Sequence, residues 1–329
     1  MTALQSRRIA VLMGGPSAEA EVSRSSAAGV AAALARTFDD VRTLELDADC
    51  ARALTAFAPD AVFPALHGPP GEDGTVQGLL ELLGLAYVGS GVRASACAMD
   101  KVLSKHVFRS AGLPVADDQL VRRHENPERA LERILDTLGP SVVVKPSRQG
   151  SALGVTLVND AQQLAAALDT ALAFDELVLV EERIIGREIT VGVLDEQRPD
   201  GALFRRPHPV IEILTPEGTW YDYAHRYTAG ESRHRIPATL DEPVTRTLQD
   251  IAMSAHDWLG CRDLSRADFV VTADDRIVLL EVNTLPGMTP TSLYPEGAAE
   301  LGLDFPALTA LLVGNALRRG PDRILATPK

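Results

Sequence analysis

The chain has 329 residues and a formal net charge of −13, from 32 basic and 45 acidic side chains, and 46% of it is hydrophobic. A field of that sign repels nucleic acid and anionic membranes, and no apolar run approaches the length of a bilayer span, so neither is an expected partner. The three cysteines, Cys50, Cys97 and Cys261, show no Cys-x-x-Cys spacing. They predict neither a disulfide framework nor a zinc site, but core fillers in a reducing, cytoplasmic setting.

In chain order, residues 9–13 read as a buried strand, and Gly14-Gly15-Pro16-Ser17 turns into a helix over about 18–35 with Ser17 as its cap. Strands at 41–46, 61–66 and 85–88, with a helix after Gly71-Glu72-Asp73-Gly74, complete a doubly wound α/β domain. Ligands of such sheets gather at the strand C-termini, which places Gly14, Gly15, Glu19 and His67 around one crevice. His67 is open between a substrate contact and a hydrogen-bonded structural histidine. From residue 100 the texture becomes α+β: helices at 101–111 and 127–138 flank strands at 142–145, 154–158, 177–181 and 188–194. A third region carries strands at 210–214, 267–272 and 277–282, a helix at 243–259 and two closing helices. The polar stretch 220–234 reads as a loop of functional length.

Lys145 ends the apolar run Val142-Val143-Val144 and must reach an anion. Lys101 opens a helix and is either a phosphate ligand or a solvated residue. Between two strands, Arg148-Gln-Gly-Ser-Ala-Leu-Gly154 could lay backbone N–H groups over phosphates or simply turn. Gly89-Ser-Gly-Val-Arg-Ala94 fits a loose dinucleotide pattern, but it comes late in its domain, which speaks against a nicotinamide site. Glu181 and Glu188 could hold an adenine amino group and ribose hydroxyls, or be charges at an interstrand bend. A hairpin turn at Ala273-Asp274-Asp275 would bring Asp268 near Glu281, with Asn283 on the same strand face as Glu281. Three hard oxygen donors without Cys or His suit Mg2+, which commonly completes its shell with phosphate oxygens; the alternative is acidic decoration of an exposed strand.

Taken together, these blocks resemble the D-alanine–D-alanine ligases of the ATP-grasp superfamily over nearly the whole chain. The residues that carry the likeness are Gly14-Gly-Pro-Ser-Ala-Glu19, Leu66-His-Gly-Pro-Pro-Gly-Glu-Asp-Gly74, Tyr87-Val-Gly-Ser-Gly91, Ala98-Met-Asp-Lys101, Val144-Lys-Pro-Ser-Arg-Gln-Gly-Ser151, Tyr221-Asp-Tyr-Ala-His-Arg-Tyr227 and Leu280-Glu-Val-Asn-Thr-Leu-Pro-Gly-Met-Thr-Pro-Thr-Ser-Leu293. The resemblance implies an α/β N-terminal substrate-binding domain (1–99) and two α+β ATP-grasp subdomains (100–184 and 185–329), with the nucleotide held between two β-sheets. It implies ATP and two Mg2+ ions, or Mn2+ in their place, held by Asp268, Glu281 and Asn283. Lys101, Lys145 and Arg226 would face the phosphates, and Glu181, the backbone near Ile184, and Glu188 the adenosine. Glu19 would bind the first D-alanine's ammonium and join Ser151 and Tyr227 in closing the site. Arg266 and the N–H of Gly287 would face the oxyanion, and Ser292 and Leu293 would receive the second D-alanine. The implied product is D-alanyl-D-alanine for peptidoglycan precursors, made by a cytoplasmic homodimer. Gln149, Ala152 and Arg226 depart from the commonest family pattern, where glutamate, serine and lysine are frequent. A ligase with a different D-amino acid, a D-hydroxy acid or a specialised metabolite as substrate, or a nucleotide binder without catalysis, are the competing readings. Tyr227 speaks against a hydroxy-acid acceptor.

Overall fold

The structure, a computed structural model, describes residues 2–198, 201–216 and 233–322. A short helix α1 (Thr2–Gln5) leads into β1 (Arg8–Met13), whose four central residues are buried. Helix α2 (Ala20–Leu34), β2 (Asp40–Glu45), α3 (Cys50–Phe57) and β3 (Ala61–Pro64) follow, and the strands form a parallel sheet in the order β2-β1-β3. Parallel pairing demands crossover helices, and α2 and α3 supply them. Helices α4 (Thr75–Leu82) and α5 (Val92–Met99) complete this part.

Two local expectations change. Helix α2 starts at Ala20 with Glu19 at its N-cap. The Ser17 hydroxyl instead donates to the His67 carbonyl at 2.7 Å and accepts from the Glu19 N–H, so it ties two loops together. The expected strand at 85–88 shrinks to one bridge between Val62 and Tyr87. The chain leaves the sheet there because the Gly89 N–H turns to Asp263 Oδ2 at 2.8 Å. That carboxylate uses the N–H a dinucleotide loop would offer to pyrophosphate, so the Gly89 loop is a domain tie.

Helix α6 (Lys101–Ser110) is capped by Asp100, which accepts from the Val102 and Leu103 N–H groups. Beyond it, β4 (Asp118–Arg122), α7 (Pro127–Leu138), β5 (Val142–Pro146), β6 (Thr156–Val158), α8 (Ala161–Phe174) and β7 (Leu177–Glu182) make an antiparallel sheet in the order β4-β7-β5-β6. Ile134, Leu164 and Leu168 of the two helices pack on Val142, Val144 and Val178. The third sheet takes β8 (Arg187–Gln197), β9 (Leu203–Pro207), β10 (Ile211–Leu214), β11 (Arg233–Arg235), then, after α9 (Glu242–Leu259), β12 (Leu264–Val271) and β13 (Ile277–Asn283). Its order is β11-β10-β8-β12-β13, with β9 also on β8. The expected hairpin is present, and Asp268 pairs with Glu281 across it. A bulge lies between them and the next pair, Phe269 with Leu279, leaving Leu280 unmatched. Without that extra residue Glu281 would face the other side of the sheet.

The last two helices, α10 (Leu293–Glu300) and α11 (Phe305–Arg319), return to the first sheet. Leu308, Leu312, Val313 and Ala316 join Ile9, Val11, Val30 and Phe63 in one core. Each such leucine or valine contributes about 1.5–3 kcal/mol on burial, so the C-terminal helix helps to hold the N-terminal sheet. Among the described residues, no single helix is long and apolar enough to cross a membrane.

A buried polar knot joins β8, α9 and β12. Asp195 accepts from Arg205 Nε at 2.6 Å and lies 3.3 Å from His256 Nε2, while His256 Nδ1 meets Ser265 Oγ at 2.7 Å. Burial pushes the Asp195 carboxyl up, but hydrogen bonds from His256 and Arg205 with their charges outweigh it and hold it at about 2. A carboxyl held below its unfolded value adds stability that is complete above that value and is lost as pH falls through the folded one. Asp195→Asn is therefore expected to cost about 2 kcal/mol at neutral pH, with the gap to the parent closing as pH drops from about 4 to 2. Urea titrations across that range check it; a gap that does not vary with pH removes the charge as its source.

Candidate active site

A cavity of about 1170 Å³ opens where the three parts meet. The N-terminal part contributes Glu19 and His67, α6 contributes Lys101, the β5–β6 turn contributes Gly150 and Ser151, and β12 and β13 contribute Arg266, Glu281 and Asn283. Gly287, Ser292 and Leu293 line it at the start of α10. Ten of the sequence-predicted residues therefore converge on one space.

The turn between β5 and β6 reaches across the cavity. Ser151 and Ala152 both take left-handed backbone, with φ of 49° and 59°, at a cost of order 1 kcal/mol each. This conformation carries the Ser151 hydroxyl onto the Glu19 carboxylate, to which it donates. Two segments that are 132 residues apart in sequence thereby close over the space. His67 sits just beneath, 3.1 Å from Ser26 Oγ and 3.8 Å from Glu72 Oε1. It is both hydrogen-bonded and on the cavity wall, so the two readings of it are compatible.

On the opposite wall the acids are already held against cations. Glu281 Oε2 is 3.2 Å from Lys101 Nζ, which also donates to the Gln149 carbonyl at 2.7 Å. Arg266 grips Asp268 with two bonds of 2.8 and 2.7 Å, and Thr190 donates to the same carboxylate at 2.6 Å. Asp268 lies behind Arg266 and is not itself on the cavity wall. The Asn283 amide oxygen accepts from the Leu285 N–H at 2.9 Å. Two carboxylates placed where positive charge is wanted, plus one amide oxygen, fit a divalent hard cation. Among the described residues no group of three His, Cys, Asp or Glu could hold a metal alone. A hard cation on this set would need further oxygens, from water or phosphate.

Gly287 lies close to Ser292: a Cβ there would stand 3.0 Å from Ser292 Oγ, a tight contact. That hydroxyl lies 2.7 Å from Thr289 Oγ1, and Ser292 is the N-cap residue of α10.

Lys145, Glu181, Ile184 and Glu188 are not among the residues lining this cavity. Glu181, 3% exposed, lies between the ammonium groups of Lys145 and Lys105. Burial pushes its carboxyl up, but the two lysines outweigh that and keep it below the usual carboxylate range. Ile184 lies between β7 and β8, the crossing from one sheet to the other, and Glu188 is the second residue of β8. Tyr227 and Arg226, with most of the 220–234 stretch, lie outside the described residues.

Sequence reading missed Lys105. It is 1% exposed, and its ammonium donates to Glu181, to the Ala116 carbonyl at 3.0 Å and lies 3.5 Å from Asp118. Its spacing of four from Lys101 put both on one helix face, a signal that could have found it. Removing it leaves the buried Glu181 with Lys145 and Asp118 with Arg109, each short of one cation. Lys105→Met is expected to destabilise the protein by about 1–3 kcal/mol, seen as a fall in Tm; an unchanged Tm would show that Lys145 and Arg109 suffice.

One antiparallel sheet sends a turn over a cleft whose other wall is a second sheet bearing acids and cations, which is the arrangement of ATP-grasp enzymes. Comparison with known proteins narrows the class. Residues 107–314 match the family model described as D-ala D-ala ligase C-terminus, and residues 45–90 its N-terminus counterpart. A D-alanine–D-alanine ligase of Acidiphilium cryptum is 46% identical over 316 residues, covering 95% of this chain and 99% of the relative. The solved D-alanine–D-alanine ligase of Bacillus anthracis complexed with ATP superposes with a TM-score of 0.80 at 30% identity, over 95% of this chain and 98% of that one. The VanG D-Ala:D-Ser ligase of Enterococcus faecalis gives 0.79 at 31% identity, over 95% and 100%. The chain belongs to the D-alanine–D-alanine ligase family.

Proposed function

We propose that this protein joins two D-alanines, at the expense of ATP, through an acyl phosphate, supplying D-alanyl-D-alanine to peptidoglycan precursors. The observation that carries the reading is the facing of two walls: Glu19 bonded to Ser151 on one side, and Arg266, Glu281, Asn283 and Gly287 on the other. A protein that only bound nucleotide would have no use for the second wall's oxyanion donors beside a subsite closed by Ser292 and Leu293.

In this reading Glu19 takes the ammonium of the first D-alanine, with His67 nearby. Lys101, Lys145 and Arg226 take phosphates, so Lys145 exchanges Glu181 for the nucleotide while Lys105 stays with the carboxylate. Glu181, the backbone at Ile184, and Glu188 take the adenosine. Asp268, Glu281 and Asn283 would hold Mg2+, or Mn2+ in its place, which when bound would supply charge neutralisation between a carboxylate and the γ-phosphate. Arg266 and the Gly287 N–H stabilise the negative oxygen that forms when the second amine attacks. Ser151, Glu19 and Tyr227 close the site against water, which would hydrolyse the acyl phosphate. We place the parts at 1–99, 100–184 and 185–329, and the protein in the cytoplasm as a homodimer without nucleic-acid or membrane partners.

ADP release measured across D-amino and D-hydroxy acids, with product masses, tests this. D-alanine is expected to give D-alanyl-D-alanine. ATP binding without amino-acid-dependent ADP release would make the protein a binder, and D-alanyl-D-serine as main product would move the acceptor assignment.

A further inference from the structure

Beyond the residues assigned above, one histidine on the cavity wall has a ring nitrogen without a task. His234, in β11, meets Glu296 Oε2 through Nδ1 at 2.6 Å, and both residues line the cavity beside Ser292 and Leu293. Its other nitrogen, Nε2, is buried and has no hydrogen-bond partner among the described residues. A buried polar nitrogen is rarely left so unless a ligand or water completes it. We propose that His234 is an acceptor-binding residue that bridges Glu296, at Nδ1, and the carboxylate of the second amino acid, at Nε2; this rests on the ligase reading.

Position along the wall selects the carboxylate over the amine. Gly287, an oxyanion donor, touches Ser292. Glu296 lies one helical turn further on, its N–H donating to the Ser292 carbonyl at 3.0 Å. His234, held by Glu296, is thereby placed beside the first turn of α10. An α-amino acid with its amine at the oxyanion end directs its carboxylate away from it, toward the start of α10. The first turn of that helix favours an anion, but Glu296 within it opposes one. Binding His234 through Nδ1 turns Glu296 from a repelling charge into the group that fixes the imidazole's orientation. Two segments far apart in sequence thus make a site from a donor and its holder.

The test compares D-alanine with D-alaninamide, which keeps the amine but lacks the carboxylate charge. The amide is used as acceptor or, failing turnover, as competitor. In His234→Ala, and in His234→Leu, which fills the space if alanine loosens the fold, the KM for D-alanine as acceptor is expected to rise about tenfold or more. The constants for D-alaninamide, for ATP and for the donor D-alanine stay as in the parent. An equal rise for D-alanine and D-alaninamide, or no rise for either, overturns the assignment and leaves only a structural histidine. If the parent forms no dipeptide at all, the ligase reading fails; if it does and the variants match it, only the role of His234 fails.

Discussion

Replacing Glu281 by alanine is expected to reduce amino-acid-dependent ADP release by at least about a thousandfold while the protein stays folded. Glu281 stands on β13 directly opposite Asp268, on the sheet face that meets the cavity. It is the carboxylate of the candidate cation site that is itself on the wall, at 30% side-chain exposure and 3.2 Å from Lys101. Its loss takes away a hard ligand and leaves Lys101 with the Gln149 carbonyl. Glu281 is partly exposed, and the mostly buried Lys101 keeps the Gln149 carbonyl, so the stability cost is about 1–2 kcal/mol. Activity and stability therefore separate. The measurement is ADP release by a coupled assay beside a thermal melt, with Mg2+ or Mn2+ varied. Turnover equal to the parent's would remove Glu281 from the cation site. A parallel collapse of Tm would mean that its role is in folding.

That separation depends on a feature the sequence only partly disclosed. The strands around Asp268 and Glu281 were legible because apolar runs bound by a short Asp-rich turn have few alternatives. Same-face placement of Glu281 and Asn283 followed from strand alternation. The bulge at Leu280 was not legible, since nothing in an apolar run marks which residue will be skipped. Lys145 at the end of a buried run had to find an anion, and it did so, but its partner is the protein's own Glu181. Contacts like this one depend on a tertiary arrangement that brings β5 beside β7. The pairing of His234 with Glu296, 62 residues away, left no periodic trace in the sequence at all. Ser17 is not the helix cap because the helix begins only at Ala20, and its hydroxyl donates to the His67 carbonyl while accepting from the Glu19 N–H. Local chemistry thus predicted elements and residue types, and long-range pairing decided which partner each side chain met.

Arg266→Ala is expected to slow amide formation about a hundred- to a thousandfold, the loss typical of one oxyanion donor, with nucleotide affinity changed much less. Arg266, 7% exposed as a residue, lines the cavity from the strand beside Glu281, and its guanidinium is fixed by two bonds to Asp268. Such a fork cannot turn freely, so its remaining N–H groups keep one direction, as a preorganised donor requires. Alanine also leaves the Asp268 carboxylate with only the Thr190 hydroxyl among these partners, and a bound cation then becomes its main counter-charge. Two consequences follow that a simple loss of fold would not produce. The variant should need ordinary ATP concentrations yet show slow dipeptide formation. Its first half-reaction, phosphate transfer to the donor carboxylate, should survive and become visible as hydroxylamine-trapped acyl phosphate. Lysine in place of Arg266 should recover little, because a single ammonium cannot hold Asp268 by two bonds and also face the oxyanion. Equal losses in nucleotide binding and in amide formation would place Arg266 in the nucleotide site. Full recovery by lysine would show that charge alone, without the fork, is enough.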